Sequence, residues 1–187
     1  MNVSTFVPFY KQFIENHPEI CLSVHTYHSS EIYSRLENHL LDLGYVIQSK
    51  ERNDIKVTPL YQEPMVIVAH EENNYYDGMT LSELPPEKEI YLRWNEEYER
   101  MHDRLFPGKR YKLRVSTETM LYNFMDESGS WTVVPQSTGK NMEKILPVKS
   151  YMPADHLSTR RCYELEHKYS RTSRLETIEL FKKEFHA

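Results

Sequence analysis

Two histidines at i and i+3, His25 and His28, are the first pair whose residue types and spacing could hold a ligand. On a strand they would face opposite sides, because side chains alternate with a period of two, so a metal chelate needs His28 to lie in the loop beyond. A hydrogen bond at a pocket edge suits His28 better than a metal does, and plain solvation or packing suits the pair better still. Arg93 and Trp94 stand at the end of a predicted strand, just before a helix cap. A guanidinium there can grip a carboxylate through two parallel N–H bonds, and a surface ion pair with Glu96 or Glu97 explains it equally well. Cys21 and Cys162 lie far apart, in no metal-like spacing, and read as free thiols of a reducing compartment. No Gly-x-Ser-x-Gly elbow and no His-Glu-x-x-His pair occurs, and with five glycines the chain has no phosphate-cradling loop. The carboxylates are many but scattered over predicted helix surfaces, where water satisfies them. These residues call for no enzyme, no metal and no cofactor.

Binding chemistry still needs a scaffold, and the chain is long enough to build one. Its 187 residues suit one ordinary domain or two small lobes, and 39% hydrophobic with 27% charged residues is the balance of a globular protein. A formal net charge of -5 repels phosphate backbones and disfavours DNA binding by this chain alone. The longest apolar run, Met65–Ala69, is far too short to span a bilayer, and no charged-then-apolar leader opens the sequence. These features predict a soluble, cytoplasmic protein.

The elements can be read from hydrophobic spacing. Phe6, Phe9, Tyr10, Phe13 and Ile14 form one helical stripe, capped by Ser4 or Thr5 and stopped at His17-Pro18. Ile20, Leu22 and Val24 alternate as in a strand. A second helix starts near Ser29 or Ser30, with Ile32, Leu36 and Leu40 on one side. Leu43–Ile47 reads as a buried strand, and 55–69 as one or two strands bent at Pro59 and Pro64. The alternation then repeats: a strand over Ile90–Trp94, and a helix capped by Asn95 with Tyr98, Met101, His102 and Leu105 inside. A strand through Tyr111, Leu113 and Val115 follows, then a helix from Ser116-Thr117 with Met120, Leu121, Phe124 and Met125 inside. Strands are expected at Trp131–Val134, at Ile145–Val148 and through Tyr163 and Leu165. A last helix is capped by the Ser173/Glu176 box. Strands alternating with helices predict an α/β fold with mostly parallel sheets.

In this order and spacing, the segments resemble the effector-binding domain of LysR-type transcriptional regulators. The resemblance is carried by Phe9–Ile20, by Ser30-Glu31-Ile32 with Leu36 and Leu41-Asp42-Leu43-Gly44, and by Pro59–Val68. Thr80-Leu81-Ser82-Glu83-Leu84 and the stretch from Arg161 to Phe185 complete it. It covers nearly the whole chain. The family's winged helix-turn-helix is missing, as is the strand that precedes the Ser4-Thr5 helix. The family's Gly-x-Gly-Ile is replaced by the bulkier Ser128-Gly129-Ser130-Trp131 ahead of Pro135.

The resemblance implies a periplasmic-binding-protein-like (type II) α/β fold, with two Rossmann-like lobes joined by a two-strand hinge. Lobe I would comprise 1–69 and 162–187, and lobe II 70–161. It implies a small-molecule effector in the inter-lobe cleft, a homodimer, and DNA contact only through the missing helix-turn-helix. The positions matching the family's ligand contacts are Ser4, Thr5, His28, Ser29, Ser30, Arg93, Trp94, Ser116, Thr117, Pro135, Gln136 and Ser137. Hydroxyls beside free amides at helix starts suit an anion, so a small organic anion is the expected effector, although each Ser or Thr can also be an ordinary cap. A free-standing solute-binding protein of the same fold is the alternative. Behind it stand a ligand-free fragment that acts by pairing with related regulators, and an enzyme of this fold class.

Overall fold

The computed structural model describes residues 3–186 except 109, 126 and 127. Two compact units are present, one of 3–62 with 161–186 and one of 63–160. The chain passes between them at 62–63 and again at 160–161.

The first unit opens with α1 (Val3–Asn16), whose Phe6 and Phe13 are buried. The helix begins before Ser4 and Thr5, which lie inside its first turn instead of capping it, and their side chains lie outside the described residues. Pro8 is the sixth residue of the helix, beyond its unpartnered first turn, and has no N–H to offer the carbonyl four residues back. The expected strand over 20–25 does not form. Its alternating residues supply an apolar face, but a strand also needs a neighbour in register, and the unit's three strands pair with one another. Next is α2 (Ser29–Glu37), which buries Tyr33 and Leu36. His39, at φ 54, closes it in the left-handed conformation. His39 N–H then reaches Leu36 O and Leu40 N–H reaches Arg35 O, so two otherwise orphaned carbonyls are satisfied. The sheet orders β1 (Leu43–Val46), β8 (Arg160–His167) and β2 (Ile55–Glu63), with β1 antiparallel to β8. The closing helix, α6 (Leu175–Phe185), lays Phe181 edge-on against Phe9 and Phe13, with ring centroids 5.0 Å away in both cases. Its cap is Arg174 with no side-chain bond, so the expected Ser173/Glu176 box is not made. A turn of 3-10 helix over Thr172–Arg174 takes Ser173 into the helical run itself.

The second unit is built on β3 (Met65–His70), which is buried along its whole length. Met65–His70 is the central strand of this unit's sheet. It lies between β6 (Trp131–Pro135) and β7 (Val148–Tyr151), both antiparallel to it. A separate pair, β4 (Ile90–Leu92) and β5 (Leu113–Val115), is parallel. The expectation of mostly parallel sheets is therefore corrected: β3 takes both partners from later chain that returns in the opposite direction, and strand order is a tertiary property that alternation along the sequence does not encode.

Two apolar layers cover this sheet. One gathers Met65, Ile67, Tyr91, Tyr98, Phe106 and Trp131, the other Val66, Val68, Ile90, Leu121, Val134 and Met142. The helix α3 (Glu96–Leu105) is capped as expected, with Asn95 Oδ1 accepting from Tyr98 N–H at 2.7 Å. The helix after Thr117 is only α4 (Glu118–Leu121). Leu121 and Met125 are fully buried, but Met120 and Phe124, expected inside, are 39% and 38% exposed. One short turn aims too few positions at the core to bury all four. Ile145, expected in a strand, is exposed ahead of β7.

Candidate functional site

The densest group of buried polar side chains in the second unit surrounds the start of α5 (Gln136–Met142). Pro135 ends β6 and precedes the helix, and lacking a side-chain acceptor it cannot cap it. The first amides are satisfied from elsewhere. Gln136 N–H donates to Pro64 O at 3.0 Å. Ser137 N–H donates to Glu63 Oε2 at 2.7 Å, and Ser137 Oγ to Glu63 Oε1 at 3.1 Å. Glu63 ends β2 and is turned to this place by Pro64, so a carboxylate already sits at the helix start.

Arg160 neutralises that carboxylate. Its Nε donates to Glu63 Oε1 at 2.9 Å, and Nη2 lies 2.6 Å from the same oxygen. Nη2 also reaches Ser137 Oγ at 3.3 Å. A second carboxylate, Glu118 at the first position of α4, accepts from Thr138 Oγ1 and stands 3.6 Å from Arg160 Nη1. The Arg160, Glu63 and Glu118 side chains are 4%, 11% and 10% exposed. Burial pushes the Glu118 carboxyl above its usual range, against the opposing pull of Thr138 and Arg160. Arg160 Nη1 is buried and makes no hydrogen bond.

The other residues singled out from the sequence make local contacts within their own units. Arg93 is exposed and pairs with Glu99 at 2.8 Å, not with Glu96 or Glu97. Trp94 is half-buried and its indole N–H donates to Val133 O at 2.6 Å. Ser116 lies on the surface with Oγ 3.7 Å from Met120 Sδ. Thr117 precedes α4 without capping it, and its hydroxyl meets Thr119 at 3.2 Å. In the first unit, the N-cap of α2 is His28, exposed and making no side-chain cap bond, while Ser29 and Ser30 fall in the first helical turn. Glu31 and Ile32 N–H both use His28 O, and among the described residues no acceptor is assigned to the amides of Ser29 and Ser30. His25 stacks on Tyr27 at 5.6 Å, and Arg35 lies 4.1 Å above the Tyr27 ring.

Sequence reasoning missed Glu63, Glu118 and Arg160. The available signal was weak: a charge abutting an apolar strand at each of two distant places. It also missed Glu89, fully buried with Oε2 2.6 Å from His102 Nε2 and Oε1 without a partner. Among the described residues no three His, Cys, Asp or Glu side chains gather as metal ligands. No described helix is long and apolar enough to cross a membrane.

A family model described as the LysR substrate binding domain matches residues 2–127. No curated protein matches the chain. Among solved structures, it is similar to the regulatory domain of Synechocystis PCC6803 CcmR in complex with 2-PG, with 17% identity and a TM-score of 0.74 over 96% of this chain and 91% of that one. The reduced OxyR regulatory domain of Pseudomonas aeruginosa gives 13% and 0.75 over 97% and 88%. The effector binding domain of QuiR in complex with shikimate gives 18% and 0.66 over 98% and 90%. The fold is the two-lobed α/β, periplasmic-binding-protein-like type II arrangement.

Proposed function

The chain belongs to the LysR substrate binding domain family, and from that premise we propose that it senses a small organic molecule and dimerises as part of a cytoplasmic transcriptional regulator. The family is one of binding domains, not of enzymes. The observation that carries the reading is the family match over 2–127. The solved relatives with 2-PG and with shikimate support a small ligand in general without naming this one. In the regulator, an effector acts by differential affinity for two arrangements of the protein.

An anionic end of the effector is best served by the start of α2. There, among the described residues, no acceptor is assigned to the amides of Ser29 and Ser30, and the helix dipole favours negative charge. The test is a thermal-shift screen of the purified chain against several hundred metabolites. A ligand that binds only the folded form raises the melting temperature by mass action. Hits among small carboxylates that vanish in a Ser29→Pro variant support this placement, whereas hits confined to cations or apolar compounds sink the anion. Sedimentation equilibrium checks the dimer, and a monomer at all concentrations rejects it.

A further inference from the structure

We propose that Glu63 is a specificity-determining residue: it fills from within the carboxylate seat at the start of α5, so that the second unit offers no seat there to an effector's carboxylate. This rests on the effector-binding reading above. The seat is made of Arg160 Nε and Nη2 with the amide and hydroxyl of Ser137, and all of these groups converge on the Glu63 carboxylate. That donor set is what a bound carboxylate requires.

Three observations close the seat to a soluble anion. Glu63 is tethered at the end of β2, so it competes at an effective concentration that a dilute metabolite does not reach. The seat's one formal positive charge already faces two carboxylates, Glu63 and Glu118, so a third would enter against net negative charge. The remaining donor, Arg160 Nη1, is buried, makes no hydrogen bond and faces Glu118 Oε2 at 3.6 Å, so it too is committed to a carboxylate of the chain.

Sodium acetate is the probe, against sodium chloride at matched ionic strength. The readouts are the Ser137 amide resonance and the melting temperature of the full chain. In the parent the Ser137 resonance stays in place as acetate rises to ~100 mM, because the seat is occupied. Glu63→Ala empties it: the melting temperature falls, and acetate but not chloride restores at least half of the loss, saturably, with Ser137 moving at the same midpoint. The proposal is overturned if the parent's Ser137 resonance moves saturably with acetate, or if Glu63→Ala is folded and indifferent to it. Should Glu63→Ala fail to fold even in acetate, the parent titration decides alone, with no movement upholding the proposal. An effector that leaves Gln136, Ser137 and Thr138 unmoved rejects the effector placement while the closed seat stands.

Discussion

Glu63 and Arg160 are 97 residues apart in sequence and 2.6 Å apart in space, and they are the first and last residues of the 63–160 unit. The ion pair thus ties together the two points at which the chain enters and leaves that unit. Because both side chains are nearly buried, removing one partner strands the other in a medium that solvates it poorly.

Arg160→Met is expected to lower stability by about 3–5 kcal/mol at neutral pH, since it leaves Glu63 and Glu118 without a counter-charge. Urea denaturation reads the loss. It should shrink on acidification, as the Glu118 carboxyl, raised by burial, takes up a proton. An equal loss at acidic pH would show that guanidinium packing, not charge, holds the site.

Stability should fall as pH rises just above the ordinary carboxylate range, and Glu89 should be one cause. Burial raises its carboxyl above 4.5, with the His102 hydrogen bond opposing the shift. Between 4.5 and the raised folded value the folded chain binds more protons than the unfolded one, so stability declines with rising pH. Glu118, raised for the same reason, adds to the slope. Glu89→Gln should flatten part of the decline in melting temperature measured across that window; an unchanged profile would remove Glu89 from the account.

Two capping variants should behave oppositely. Asn95→Ala loses the bond to Tyr98 N–H and should cost about 1 kcal/mol. Ser173→Ala touches no cap, because α6 is preceded by Arg174, and should leave the urea midpoint in place. A loss with Ser173→Ala similar to that with Asn95→Ala would restore the capping box read from the sequence.

His39→Gly should be more stable than His39→Ala by about 1 kcal/mol, because φ 54 is strained for a residue with a Cβ and free for glycine. Both variants lose the ring contact with His167 at 4.1 Å, so their difference in unfolding free energy isolates the backbone. Equal stabilities would mean that the left-handed turn relaxes.

Much of the fold was legible because its signals are local. The stripe from Phe6 to Phe13, the Asn95 cap and the apolar run of Met65–Ala69 each follow from helical or strand spacing within a few residues. Reading failed where an element needs a distant partner. Ile20–His25 alternates properly but has no neighbouring strand, and Met120 and Phe124 keep helical spacing where α4 is only one turn long. The candidate site divides in the same way. The hydroxyls at Ser29 and Ser30 stand out beside a predicted helix start and Ser137 enters only through the family resemblance, whereas nothing within reach of Ser137 in sequence announces α5, Glu63, Glu118 or Arg160.

Local spacing alone marked the stripe of α1, the Asn95 cap, the apolar run of β3 and hydroxyls that lie beside helix starts, while it left α5 unannounced and gave an alternation over 20–25 that forms no strand, because periodicity and capping act over single turns. Only the tertiary structure decided that β3 runs antiparallel between β6 and β7, and that the start of α5 is already filled by the chain's own carboxylate. Strand order and charge pairing across 97 residues depend on which surfaces meet once the chain is compact, and no local spacing records that.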